Sequence, residues 1–172
     1  MEGRNRSVKK NMEIKIEPYT IEDLAEIKNI WNEVVEEGNA FPQMDCLTEE
    51  TTKEFFEKQD YVGVAKVDGK IEGLYILHPN NVGRCGHHAN ASYAVRAKVR
   101  GKKIGERLVK DSLLRAKELN YQLLIFNAVV KGNNRAIALY SKLGFQKVGE
   151  IPNGFLLKDG SYQDTIIFYH IL

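Results

Sequence analysis

The chain has 172 residues, of which 43% are hydrophobic and 28% are charged, and its formal net charge is +2. This length suits one domain, and the composition excludes a fibrous or wholly disordered chain. The small net charge gives no reason to expect nucleic-acid binding, and no apolar run reaches the ~20 residues that a membrane-spanning helix needs.

The N-terminal segment and the two cysteines give information about processing and redox environment. Residues 1–11, MEGRNRSVKKN, are basic and polar and lack the apolar stretch of a secretory signal. We interpret them as a disordered extension or an expression remnant, and 12–172 as one domain. Cys46 and Cys85 lie far apart and form no CxxC pair, which argues against a disulfide scaffold or a zinc site and favours a reducing cytoplasm.

The first half of the domain predicts strands separated by two helices. Met12–Pro18 alternates apolar and polar residues and predicts a strand. A helix begins at Thr20, where Asp23 completes a near capping box, and ends at Gly38; a second helix begins at Thr48. Three further strands are predicted at 61–67, 71–77 and 88–95, the first two of them joined by an Asp68-Gly69 hairpin turn.

The second half predicts two helices between strands. A strongly periodic helix covers about 103–119, and the apolar run Gln122–Val130 predicts a strand buried on both faces. A helix follows at 133–143, ended by Gly144, and two closing strands are predicted at 145–151 and 162–171.

The order of these elements predicts an α/β fold. A helix between strands 88–95 and 122–130 implies that these two strands are parallel, with a right-handed crossover. The other connections favour antiparallel neighbours. The sequence therefore predicts three layers, with a mixed central sheet of about six or seven strands flanked by about four helices.

The segment that joins strand 88–95 to the following helix is a candidate anion site. Its basic residues fall within eight positions: Arg96, Lys98, Arg100, Lys102 and Lys103. A helix N-terminus carries unpaired N–H groups and partial positive charge, and Gly101 and Gly105 would let a phosphate approach the backbone. A diphosphate site and a merely solvated basic helix start both fit. The segment is neither a Walker A loop nor a GxGxxG dinucleotide loop.

Two motifs resemble those of the GNAT superfamily, the general-control-related N-acetyltransferases. Arg100-Gly-Lys-Lys-Ile-Gly105 is similar to its [RQ]-x-x-G-x-[GA] signature, and Asn133-x-x-Ala-x-x-x-Tyr140 followed by Leu-Gly-Phe145 is similar to its second signature. The chain departs from the first signature at Lys103, where glycine is usual. Phosphate binding by the backbone remains feasible there if Lys103 has helical angles.

The resemblance implies the GNAT fold and acetyl-CoA as cosubstrate. It implies that strands 88–95 and 122–130 splay apart, that the pantetheine arm runs between them, and that the Val95 N–H stabilises the thioester oxygen. Asn133 would contact the coenzyme arm, and Tyr140 would donate a proton to the departing thiolate. The diphosphate would lie on the backbone amides of Arg100, Gly101, Lys102, Lys103, Ile104 and Gly105.

The sequence identifies no general base that would take a proton from the amine. Strand 88–95 has no carboxylate, whereas Asn90 and Asn127 interrupt two apolar runs and are either catalytic residues at the acceptor or a structural bridge. Asparagine does not accept a proton at neutral pH, so the amine enters neutral or loses its proton through water.

Asn90-Ala-Ser-Tyr-Ala-Val95, Phe126-Asn-Ala-Val-Val130 and Ile151-Pro-Asn-Gly-Phe155 resemble segments of the fungal acetyltransferases that act on proline analogues such as azetidine-2-carboxylate. This closer resemblance implies that both amides meet the acceptor and that the 152–162 loop lies beside it.

The sequence therefore predicts an N-acetyltransferase that uses acetyl-CoA. Direct attack by the amine of a small molecule, such as an amino acid or a proline analogue, is the leading hypothesis. A protein N-terminal or lysine acetyltransferase and a non-catalytic acetyl-CoA-binding module are the alternatives. We expect no metal, no nucleic-acid partner and no membrane association, and the superfamily resemblance allows a homodimer.

Overall fold

The computed structural model describes residues 12–172, so the interpretation of residues 1–11 lies outside the described part of the chain. Within 12–172 the chain forms seven strands and four α-helices. The strands are β1 Ile14–Pro18, β2 Tyr61–Val67, β3 Lys70–Pro79, β4 His88–Val95, β5 Leu123–Val130, β6 Gln146–Leu156 and β7 Tyr162–Ile171. The helices are α1 Leu24–Glu37, α2 Glu49–Glu57, α3 Ile104–Glu118 and α4 Asn134–Lys142.

The strands form one mixed sheet in the order β1-β2-β3-β4-β5-β7-β6. Every neighbouring pair is antiparallel except β4 and β5. These two parallel strands pair only at His88–Leu123 and Ala89–Leu124 and then separate. The prediction of a mixed sheet with a splayed parallel pair is confirmed.

Helices cover both faces of this sheet, so the three-layer prediction is also confirmed. On one face a core cluster includes Leu108 of α3 and Phe126 of β5, with Tyr140 of α4 packed against it. On the other face a second cluster joins Trp31 of α1 to Phe56 of α2. The sheet separates the two clusters, and the site described below crosses it.

Local signals in the sequence account for the element ends. The Thr48 side chain accepts a hydrogen bond from the Thr51 N–H and begins α2. Gly38 ends α1 in the left-handed conformation, with φ of 65°. Asp68 and Gly69 both have positive φ, as a two-residue hairpin between right-twisted strands requires. Thr20 forms its capping box with Asp23, although a 3-10 turn precedes α1 proper.

Two predicted details are wrong. β6 does not stop at Ile151 but continues to Leu156, because a bulge between Ile151 and Phe155 absorbs the proline and glycine that suggested a loop. β5 is not buried on both faces: Asn127 and Ala128 are exposed where β5 is irregular between Phe126 and Val129. Among residues 12–172, no helix is long and apolar enough to cross a membrane.

Candidate active site

The hydrogen-bond register of β4 directs part of its backbone toward the gap beside β5. The Arg96 N–H donates to the Glu72 carbonyl (3.0 Å), and the Asn80 N–H donates to the His88 carbonyl (2.7 Å). In an antiparallel ladder these contacts assign the even-numbered residues of β4 to β3. The odd-numbered residues, including Val95, therefore direct their N–H groups toward β5. Beyond Ala89, β4 has no pairing with β5 to receive those groups.

A cleft of about 650 Å³ runs through this gap. On the α3 side it is lined by Gly101, Gly105, Asn133 and Tyr140; on the α1 side it is lined by Phe41, Pro42, Asn90, Asn127 and Leu157. Its volume falls in the range of small-molecule and cofactor sites. One continuous space therefore joins the start of α3 to the opposite face of the sheet.

The start of α3 offers unpaired backbone donors to this cleft. Within residues 12–172, no acceptor is bonded to the backbone N–H groups of Gly101 to Glu106. A Cβ atom placed on Gly105 would meet only ordinary contacts, Leu139 Cδ2 at 3.8 Å and Val95 Cγ2 at 4.0 Å. Free N–H groups, a helix dipole and an open approach are the requirements of an anion site.

Lys103 does not have the helical angles that the sequence argument required. Its φ is 65° and its ψ is 10°, so it precedes α3 in the left-handed conformation, which favours glycine. This backbone requirement is a physical reason for glycine at that place in the signature. Lys103 adopts the same path at a cost in strain.

Two of the basic side chains that were predicted to attract an anion instead bind carboxylates of the fold. Arg96 contacts Glu26, Glu33 and Glu72. Arg100 forms a two-pronged pair with Glu37 at 2.9 and 2.7 Å.

Both guanidinium groups are therefore neutralised by carboxylates within the fold. The backbone N–H of Arg100 also donates to the Ala97 carbonyl at 3.3 Å, so this main-chain donor is not directed to the cleft. Within residues 12–172, the exposed Lys98, Lys102 and Lys103 form no ion pair and remain available to an anion.

Asn133 begins α4 as its N-terminal cap. Its Oδ1 atom accepts a hydrogen bond from the Ala136 N–H at 3.2 Å. Among residues 12–172 no acceptor is bonded to its Nδ2 atom, and Asn133 lines the cleft. Capping and coenzyme contact are thus compatible for this residue.

Tyr140 reaches the cleft from α4 through an aromatic cluster. Its ring centroid lies 4.5 Å from that of Phe126, 5.5 Å from that of Phe145 and 6.4 Å from that of Tyr93. Burial among these rings raises the pKa of Tyr140 above its usual value, so the phenol stays protonated at neutral pH. Within the described residues its hydroxyl has no hydrogen-bond partner. It is therefore a neutral donor facing the cleft.

The two asparagines singled out in the sequence lie together. Asn90 Nδ2 donates to Asn80 Oδ1 at 3.1 Å, and Asn127 Nδ2 donates to the same oxygen at 2.6 Å. The alternation of β4 puts the Asn90 side chain on the α1 face, with Ala94. Asn80, which the sequence analysis did not single out, is the residue that joins them.

The described part of the chain offers few ionisable groups here. The charged residues that line the cleft within 12–172 are Glu37, Arg100 and Arg135, and the first two form an ion pair. Sequence reasoning missed Glu37, which lies in the last turn of α1 among other acidic residues and has no local distinguishing signal. No cluster of three or more potential metal ligands occurs in residues 12–172.

Comparisons with known proteins agree with this geometry. The sequence model described as "Acetyltransferase (GNAT) family" matches residues 24–145. The chain is 28% identical over 158 residues to N-acetyltransferase aca1 of Schizosaccharomyces pombe, covering 81% of this chain and 76% of that protein. It is 27% identical to a GCN5-related N-acetyltransferase of Kribbella flavida (TM-score 0.85, covering 92% and 98% of the two chains). A ribosomal-protein-alanine N-acetyltransferase of Brucella melitensis is 25% identical (TM-score 0.85, covering 92% and 99%).

Proposed function

Because this chain belongs to the acetyltransferase (GNAT) family, with acetyl-CoA as its cosubstrate, we propose that it transfers the acetyl group to the amine of a small molecule. The observation that carries this proposal is the continuous cleft through the β4–β5 gap. A cleft that crosses the sheet lets coenzyme and acceptor enter from opposite faces and meet between the strands. That arrangement suits direct attack in a ternary complex.

The residues present fit the coenzyme. The free backbone amides of Gly101, Lys102, Lys103, Ile104 and Gly105 would hold its diphosphate at the positive end of α3. Lys102 and Lys103 add unpaired charge, whereas Arg100 would act indirectly by fixing the loop. The Asn133 side chain would contact the pantetheine arm.

Val95 and Tyr140 take complementary roles in this proposal. Acetyl-CoA supplies an activated thioester, and the Val95 N–H, directed into the gap, would stabilise negative charge that develops on the thioester oxygen. Tyr140 would give its proton to the leaving thiolate. Burial raises the pKa of the phenol, so Tyr140 could not remain a phenolate among these rings. The attacking amine becomes cationic when it bonds to the acetyl carbon, and the proton that it loses would balance the one that Tyr140 gives to the thiolate.

Asn90 and Asn127 would orient the acceptor rather than deprotonate it. Among the described residues that line the cleft, Glu37 has the one carboxylate, and Arg100 occupies it. The amine would therefore arrive neutral or lose its proton to water. We expect the rate to follow the fraction of acceptor that is unprotonated.

The acceptor side of the cleft favours a small molecule over a protein. Its lining combines amides with apolar side chains and, in residues 12–172, has no unpaired carboxylate to hold the other basic residues of a lysine-rich peptide. The β6–β7 turn also packs on the end of α1, where Lys158 Nζ donates to the Glu36 carbonyl at 2.9 Å. This contact places the β6–β7 turn beside the acceptor side of the cleft, which Leu157 lines.

Release of free thiol from acetyl-CoA tests the proposal. The panel should contain amino acids, proline analogues, simple primary amines, and peptides with a free N-terminus or lysine. We expect release with small amines and little with peptides. Preference for peptides would support protein acetylation, and calorimetric binding of acetyl-CoA without thiol release from any acceptor would support a binding module.

A further inference from the structure

We propose that Asn80 is a positioning residue that spans the gap between β4 and β5 and turns the carbonyl oxygens of Asn90 and Asn127 toward the acceptor amine. The proposal rests on the function proposed above. Asn80 itself does not line the cleft, so its effect would pass through the two asparagines that do.

The backbone fixes Asn80 beside the place where the strands separate. It follows Pro79, the last residue of β3, and its N–H donates to the His88 carbonyl at 2.7 Å. His88 and Ala89 are also the residues at which β4 still pairs with β5. The side chain of Asn80 therefore originates beside the last residues at which β4 and β5 are paired.

From this point one carbonyl oxygen joins the two diverging strands. Asn80 Oδ1 accepts from Asn90 Nδ2 on β4 at 3.1 Å and from Asn127 Nδ2 on β5 at 2.6 Å. A carbonyl oxygen has two lone pairs, and both are used here. The side-chain bridge replaces the backbone pairing that ends at Ala89 and fixes the distance between the two amides.

The bridge also determines which end of each amide is available. Because Nδ2 of Asn90 and Nδ2 of Asn127 are held at Asn80, the Oδ1 atoms are turned away from it. Neither Oδ1 atom accepts a hydrogen bond from another side chain or a backbone N–H within residues 12–172.

Both of these asparagines line the cleft, which thus receives two hydrogen-bond acceptors. Acceptors suit the N–H groups of a neutral amine, whose lone pair is then free to face the thioester.

Three variants test this role. Asn80→Ala removes the bridge, and Asn80→Asp keeps an oxygen acceptor at the same place. Asn81→Ala is the matched control, because Asn81 is an exposed neighbour whose Oδ1 accepts only from the Val82 N–H among the described residues.

Steady-state kinetics with the best amine should separate these variants. We expect Asn80→Ala to lower kcat/KM for the amine by about tenfold or more, since two hydrogen bonds to oriented groups are lost. Asn80→Asp should recover most of that loss, and Asn81→Ala should match the wild type. The dissociation constant of acetyl-CoA should change by less than about threefold in all three variants, because the bridge lies away from α3.

Normal amine kinetics in Asn80→Ala would overturn the proposal, as would a parallel loss of acetyl-CoA affinity that indicates general disorder of the gap. A readout independent of turnover is the pair of side-chain NH₂ resonances of Asn90 and Asn127 in NMR spectra. They should shift in Asn80→Ala and stay in place in Asn81→Ala. If the resonances shift in Asn80→Ala but the wild-type protein acetylates no amine, the proposed function fails while the bridge stands. If the resonances do not shift in Asn80→Ala, the bridge itself is refuted.

Discussion

Arg100 and Glu37 form a two-pronged ion pair that joins the segment before α3 to the last turn of α1. The guanidinium contacts the two carboxylate oxygens at 2.9 and 2.7 Å, and its Nε donates to the Val95 carbonyl at 3.0 Å. One side chain thus connects three parts of the cleft wall. Arg100, the first residue of the signature, therefore holds the loop through contacts within the cleft wall, and the backbone amides are the groups that the described residues leave free for an anion.

Removal of this arginine should therefore affect stability more than coenzyme binding. Arg100→Ala leaves Glu37 without its partner, and we expect a loss of about 1–2 kcal/mol in the free energy of unfolding, moderated by partial exposure of the pair. Urea denaturation measures this loss, and Glu37→Gln in the same background should recover part of it. A large drop in acetyl-CoA affinity with unchanged stability would instead indicate a direct contact between Arg100 and the coenzyme.

Tyr140→Phe should separate catalysis from binding. The substitution keeps the ring in its cluster and removes the proton, so we expect kcat to fall by about 10²-fold or more while the acetyl-CoA dissociation constant stays nearly unchanged. Tyr169→Phe is a suitable control, since its hydroxyl contacts Gln146 away from the cleft. Normal turnover in Tyr140→Phe would remove this residue from the chemistry.

The protein should be more stable with glycine than with alanine at position 103. Both substitutions remove the charge, but only glycine relieves the left-handed backbone with φ of 65°. We expect Lys103→Gly to exceed Lys103→Ala by about 1 kcal/mol in the free energy of unfolding.

The neighbouring Lys102, which does not have positive φ, supplies the control, because there alanine should be at least as stable as glycine. Equal stability of the two Lys103 variants would mean that the backbone conformation is not held in solution.

Glu106 should contribute a pH-dependent link between α3 and α4. Hydrogen bonds from Lys110 and Lys142, each at 2.8 Å, lower the pKa of Glu106 to about 2. Its pKa in the unfolded chain is about 4.3, so the folded state binds the proton less tightly. The stabilisation is complete above the unfolded pKa and is lost as the pH falls from about 4.3 to about 2.

Melting temperatures at several pH values test this link. Glu106→Gln should melt below the wild type at pH 7, and the difference should shrink as the pH approaches 2. A difference that stays constant over this range would show that the two ammonium groups do not stabilise the charged form of Glu106.

The sequence predicted those parts of the fold that depend on local patterns. The periodicity of α3, the cap at Thr48 and the hairpin at Asp68-Gly69 are set by residues within one or two turns. The parallel β4–β5 pair followed from the helix between the two strands. The gap between them followed from the resemblance to GNAT proteins, and not from any property of the strand residues.

The remaining details depend on contacts between residues far apart in the chain. Arg100 meets Glu37 across 63 residues and Asn127 meets Asn80 across 47, and neither pair has a signal in its local sequence. The left-handed angle of Lys103 is set by the path into α3, which residue types alone do not reveal. Pro152 and Gly154 indicate a break, but only the pairing with β7 shows that the break is a bulge.

The most direct test of the account is calorimetric titration of acetyl-CoA into Gly105→Glu, with Gly149→Glu as the matched control. Both glycines accept a Cβ atom without a close contact, and only Gly105 lies in the cleft. A glutamate near the start of a helix favours folding, so the variant should remain folded while its side chain occupies and repels the diphosphate site. We predict that binding is lost in Gly105→Glu and retained in Gly149→Glu; wild-type affinity in Gly105→Glu would contradict the assignment of the α3 amides to the coenzyme.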